Sequence, residues 1–198
     1  MRLDQRCIVD MIKPQSKVLD IGCGDGSLID YLCRHHHCDA RGIELDMSYV
    51  TKTVAKGLPV IQGNADFDLQ HYPTNGFDYV VLSRTLQAVN HPKEVLQQML
   101  RIGRHAIISF PNFGHWTLRL QLLLKGRMPM TTVWGKYWYE TPNIHPCTMT
   151  DFVHLCEVEG HRIERWMAID EQGERAPWRR YVKLANFFGE QALFLLTR

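Results

Sequence analysis

The chain has 198 residues, with 23 Lys and Arg against 21 Asp and Glu, and 45% of its residues are hydrophobic. That length suits one domain, able to bury about 70% of the unfolded chain's surface, and a formal net charge of +2 points to neither nucleic acid nor an anionic membrane. No run reaches the roughly 18–20 apolar residues of a membrane span, and Met1 to Arg6 lead into no apolar signal segment, so the expectation is a cytoplasmic protein with its six cysteines reduced.

Apolar runs alternate with helical patterns along the chain. Residues 18–21 predict a strand, and Leu28, Ile29, Leu32 and Cys33 mark one face of the helix after it. Residues 40–43 predict a second strand, followed by Met47, Val50 and Val54 at helical spacing, and Val60-Ile61 predicts a third. Residues 77–82 (FDYVVL) form a near-continuous apolar run, expected of a strand covered on both faces. Pro92 suits the first turn of the next helix, whose buried stripe is Val95, Leu96, Met99 and Leu100. Residues 106–110 predict the fifth strand. Thr148 to Asp151 start another helix that Gly160 stops, and residues 162–169 and 192–196 are the last two strands.

This order predicts an α/β fold, a mainly parallel seven-stranded sheet with helices on both faces. No repeat or linker divides the chain. Residues 1–198 therefore read as a single domain with an elaboration at about 111–147 after the fifth strand. That elaboration holds an apolar helix around residues 118–124 and the aromatic loop WGKYWYETPNIHP. Trp116, Leu120, Leu123 and Leu124 share one stripe of the helix, and a helix apolar nearly all round is buried or covered by a partner.

VLDIGCGDGSL carries glycines at 22, 24 and 26, between the first strand and its helix. Such a loop turns backbone N–H groups and a helix N-terminus toward a ligand, although a tight turn alone would also use glycine. The dinucleotide pattern G-x-G-x-x-G wants its third glycine where Ser27 stands, and no G-K-[ST] follows to make a phosphate loop. Glu44 closes the second strand, where a carboxylate can accept from both hydroxyls of a ribose and would repel a 2′-phosphate.

Asp20-x-Gly22-x-Gly24-x-Gly26, the acid at Glu44 and FDYVV together resemble a class I methyltransferase core. The resemblance implies S-adenosylmethionine, or its demethylated product S-adenosylhomocysteine, as ligand. It implies Gly22, Cys23, Gly24 and Gly26 along the methionine and ribose side, with Asp20 orienting that loop. It also implies Glu44 and Leu45 at the ribose, Asn64 and Ala65 near the adenine, and Ser83, just past the fourth strand, facing the sulfonium.

More specific segments extend from about residue 4 to the C-terminus: VIQGNADFDL, ISFPNFGHW, LLLKGRMPMT, ETPNIHPCT and NFFGEQALFLL. With FDYVVLSRTLQAV they resemble the methionine-biosynthesis MetW family. This resemblance implies a place in methionine biosynthesis and homoserine O-acetyltransferase as a partner, with regulation of that enzyme as the role. The other reading is a methyltransferase acting on a small-molecule acceptor.

Methyl transfer needs a base only when the acceptor arrives protonated. Asn112, His115, Trp116 and Arg119 follow the fifth strand on the acceptor side, with His115 the candidate base; Tyr137, Trp138, Tyr139, Asn143 and His145 come later. His35-His36-His37 beside Cys33 and Cys38 lacks the second ligand pair of a structural zinc site, so no metal is expected. Arg175, Trp178, Arg179, Arg180 and Tyr181 interleave basic and aromatic residues as protein interfaces do, and they predict a protein contact, not nucleic acid.

Overall fold

The computed structural model describes residues 1–131, 134–170 and 181–198. Seven strands form one sheet: β1 (Lys17–Ile21), β2 (Asp39–Glu44), β3 (Val60–Gln62), β4 (Phe77–Ser83), β5 (Gly103–Pro111), β6 (Arg162–Ile169) and β7 (Gln191–Thr197). Their order is β3-β2-β1-β4-β5-β7-β6. The first five pair in parallel, while β7 runs antiparallel to both β5 and β6. The α/β fold with a mainly parallel sheet is therefore the one expected. The strand order reverses at β1, beside β4, where ligands of open α/β sheets bind outside the carboxyl ends of the strands.

Side-chain alternation builds a core on each face of the sheet. Val18, Val81 and Ile107 face one way, onto α1 (Leu3–Val9) and α2 (Ser27–His36). Leu19, Val80, Leu82 and Ile108 face the other, onto α4 (Pro92–Ile102) and α6 (Met149–Glu159). Burial on both sides explains the unbroken apolar run of β4. Thr148 caps α6 in a reciprocal box with Asp151, and Gly160 ends that helix at φ 71.

The helix over residues 47–54 forms as α3 (Met47–Ala55), but its buried face differs from the expected one. Met47 and Val54 are exposed, whereas Val50 and Thr53 point inward. The physical reason is that α3 packs beside the narrow β2–β3 end of the sheet, and its inner surface holds a turn through a hydroxyl, as shown below. Two helices carry too little periodicity for the sequence to announce them: α1, and α7 (Val182–Phe188) after Tyr181. Arg175, Trp178, Arg179 and Arg180 lie outside the described residues.

Between β5 and α6 the chain forms α5 (Trp116–Lys125), ended by Gly126 at φ 59. In α5 Leu118 alone is buried, while Leu123 and Leu124 are 81% and 73% exposed and Trp116 is half-exposed. Its apolar stripe is thus left largely uncovered by the described residues. No helix among the described residues is long and apolar enough to cross a membrane.

Candidate functional site

The glycine loop leaves the end of β1 in left-handed conformations, with φ of 68, 55 and 75 at Gly22, Gly24 and Gly26. These φ values favour glycine. A Cβ on Gly22 would lie 2.6 Å from the Thr85 hydroxyl, whereas one on Gly24 would meet nothing within 4 Å and would project into open space.

Glu44, at the end of β2, fixes the loop. Its Oε2 accepts from the Gly24 N–H at 2.7 Å and its Oε1 from the Asp46 N–H at 3.0 Å. Gly22 and Cys23 donate to the Ile43 carbonyl, and the Thr53 hydroxyl donates to the Gly24 carbonyl at 3.0 Å. Glu44 and Thr53 thus hold Gly24 by direct hydrogen bonds. Asp20 is buried, and its Oδ1 has no hydrogen-bond partner among the described residues. Burial pushes its carboxyl up to about 7; Arg2 pulls it back, while Glu44 and Asp4 raise it further. Cys23 is buried too, and burial followed by the nearby Asp20 and Glu44 carboxylates pushes its thiol up, which makes it inert packing rather than a nucleophile.

Two recesses flank Gly22, which lines both. The first, of about 430 Å³, is polar and bordered by Arg2, Gln5, Asp20, Gly24, Lys52 and Ser83. The second is a slot of about 240 Å³ among Ile21, Ile43, Leu45, Ala65 and Val89, with Glu44 at its edge. Asn64 lines the slot as well. Its side-chain oxygen accepts from the Asp66 N–H at 2.9 Å, which leaves one lone pair of that carbonyl for a ligand. Asp66 in turn accepts from Asn90 and His91. Gly26 sits behind the loop as the residue preceding α2.

Ser83 is the last residue of β4 and not beyond it, because its pairing with Ser109 extends the strand by one residue. Its hydroxyl donates to Asp4 Oδ2 at 2.9 Å and accepts from the Arg2 guanidinium at 2.7 Å. Ser109 also donates to Asp4, at 3.2 Å, and Arg84 approaches the same oxygen at 3.6 Å. A fully buried Asp4 thus pins α1 onto the carboxyl ends of β4 and β5, which brings Arg2 and Gln5 over the polar recess. Sequence reasoning missed Arg2, Asp4 and Gln5. The available signal was the amphipathic L-D-Q-R-C-I-V, too short to stand out.

The residues expected on the acceptor side are dispersed. His115 precedes α5, buried, with Nδ1 2.7 Å from the Thr117 hydroxyl, and it is not among the residues lining either recess. Asn112 spends its side chain on structure, donating to the Asn186 and Gly189 carbonyls and accepting from Gly114 and Met149. Arg119 lies over the Phe187 ring. His145 comes nearer the slot, with Nε2 3.3 Å from the Asn90 carbonyl.

The family described as Methionine biosynthesis protein MetW matches residues 2–196. A bifunctional methionine biosynthesis protein MetXA/MetW of Rhodopirellula baltica is 37% identical over 166 residues, covering 76% of this chain and 26% of that protein. The mitochondrial ubiquinone biosynthesis O-methyltransferase of Saccharomyces cerevisiae is 32% identical over 90 residues, 43% of this chain and 29% of the relative. The chain thus spans less than a third of the length of these curated relatives. Among solved structures, an S-adenosylmethionine-dependent methyltransferase from Mesorhizobium loti superimposes with a TM-score of 0.71 at 15% identity, covering 100% of this chain and 98% of that one. A second, from Archaeoglobus fulgidus, gives 0.68 at 16% identity over 98% and 91%. At such identities these two establish the fold. The match over nearly the whole sequence, with the Rhodopirellula relative, shows that the chain belongs to the MetW family of methionine biosynthesis proteins.

Proposed function

We propose that the paired recesses bind S-adenosylmethionine or S-adenosylhomocysteine, and that the protein works with homoserine O-acetyltransferase in the cytoplasm. The observation that carries the binding reading is Asp20: a buried carboxyl group with one oxygen unpartnered among the described residues, bordering a recess it shares with Arg2. An amino-acid end offers the missing groups, its ammonium to Asp20 and its carboxylate to Arg2. Adenine suits the apolar slot, and the unused lone pairs of Glu44 suit the ribose hydroxyls. The open space beside Gly24 leaves room for the chain between them. Bound S-adenosylmethionine supplies an electrophilic methyl group on a sulfonium. The residues here bind and orient.

The partner reading is supported by the family and by the Rhodopirellula relative, whose name joins MetXA and MetW in one bifunctional protein. An active methyltransferase with a small-molecule acceptor and His115 as base is the second reading, favoured by the ligand site alone. The domain boundaries 1–198, with an elaboration at about 111–147, belong to this proposal too.

Calorimetric titration with both adenosyl ligands tests the first claim. Loss of one charge-assisted hydrogen bond at Glu44 is worth about 1.5–3 kcal/mol, so Glu44→Gln should bind at least about tenfold more weakly. Absence of heat with either ligand sinks the site. Co-elution with the acetyltransferase, and a change in its rate on mixing, tests the partnership. Accumulation of S-adenosylhomocysteine with a candidate acceptor, lost in His115→Ala, would favour the second reading.

A further inference from the structure

A third cavity, of about 880 Å³, lies away from the glycine loop, in the segment between α5 and α6. Its size falls within the roughly 300–1,000 Å³ of small-molecule sites. Apolar groups wall it: Met128 and Met130, the Phe113 ring edge-on to Trp134 at 5.2 Å, and the parallel rings of Tyr137 and Tyr139 at 5.4 Å.

Two features of this cavity ask for a negative group. Trp134 is 9% exposed, and its indole Nε1–H is buried with no hydrogen-bond partner among the described residues. A buried donor left unmet is costly, and an acceptor arriving in the cavity would meet it. Arg127 and Lys136 border the same cavity, no Asp or Glu lines it, and neither cation joins an ion pair among the described residues. The charged groups that line it are thus both cations, and most of its wall is apolar.

We infer that this cavity is a binding site for a small apolar carboxylate, held by its body between the methionines and tyrosine rings and by its oxygens at Trp134, Arg127 and Lys136. The site is independent of any adenosyl ligand. Its far wall is nonetheless tied to the slot, because Ile144 and His145 donate their N–H groups to the Gln87 carbonyl at 2.8 and 3.0 Å, two residues from Thr85.

The test follows the indole N–H signals of the ¹⁵N-labelled chain during titration with phenylacetate, with 2-phenylethanol as the uncharged control. The chain has five tryptophans; Trp134→Phe removes one signal and so identifies it, and backbone assignment of the parent serves if that variant does not fold. The expected result is a saturable downfield shift of the Trp134 signal by phenylacetate, with 2-phenylethanol at least about tenfold weaker. The Arg127→Gln/Lys136→Gln double variant should lose about tenfold in phenylacetate affinity and keep its weak response to 2-phenylethanol. No saturable shift, or equal responses to the two probes, overturns the site and leaves the aromatic wall as part of the exposed apolar face that α5 begins.

Discussion

The glycine side of the molecule and the side between β5 and α6 are built on opposite principles. On the glycine side, short polar contacts hold every part: Glu44 and Thr53 grip Gly24, and Asp4 gathers Ser83, Ser109 and Arg84 beneath α1. On the side between β5 and α6, α5 is anchored by Leu118, and large apolar side chains face outward. In the first region, among the described residues, Asp20 Oδ1 is the buried side-chain atom left without a partner. The second presents apolar surface of the kind that marks contact with something else. The glycine side is polar and bonded internally, while the α5 side is apolar and open.

Asp4→Ala should break this contrast most strongly. It strips a fully buried hub from two hydroxyls and leaves Arg84 without its counter-charge. A loss of about 2–4 kcal/mol is expected, read as a lower urea midpoint, and the adenosyl ligand should weaken with it as α1 loosens. Gly22→Ala comes next. An alanine at φ 68 is strained, and its Cβ would press on Thr85 at 2.6 Å, so about 1–3 kcal/mol is expected. Gly24→Ala, with nothing within 4 Å, should cost less in thermal unfolding yet hurt ligand affinity more.

Asp20→Asn sharpens the comparison in the other direction. The folded-state pKa of Asp20 lies at about 7, above its ordinary 3.8, so the fold favours the protonated form. Its contribution to stability is fully present below pH 3.8 and is lost as pH rises through about 7. The asparagine carries no such penalty. Denaturation at pH 8 should show the variant about 1–2 kcal/mol more stable than the parent, with the gap closing toward pH 4, while its ligand affinity falls. A variant–parent gap of the same size at both pH values would mean that burial does not raise the Asp20 carboxyl. The smallest effect belongs to Leu123→Ser: an 81% exposed side chain should change stability by less than about 0.5 kcal/mol. If α5 meets a partner, the same change should weaken acetyltransferase association, which pull-down would read.

Much of the glycine side was legible because its signals are local. The turn needs positive φ, which selects glycine within five residues, and Glu44 follows at the spacing one strand–helix–strand unit imposes. The resemblance implies Ser83 and Asn64 near a ligand, but the sequence does not show their partners, Asp4 and Arg2 for one and Asp66 for the other. Asp4 stands 79 residues from Ser83 and 105 from Ser109, and no pattern in a single chain encodes such a meeting. Asp20 illustrates the gap best: its position was readable, while its want of a partner is a property of burial.

By itself, then, the sequence determined the alternation of strands and helices, the parallel core of the sheet, the glycine turn with Glu44 beside it, and the family. Hydrophobic period and backbone sterics act over a few residues, so they can be read from the chain. Only the tertiary structure decided the antiparallel β7, the docking of α1, which face of α3 turns inward, and that the described residues leave the α5 stripe exposed. Those outcomes depend on which surfaces meet after the chain folds back on itself, where burial and hydrogen-bond completion, not local preference, choose the winner.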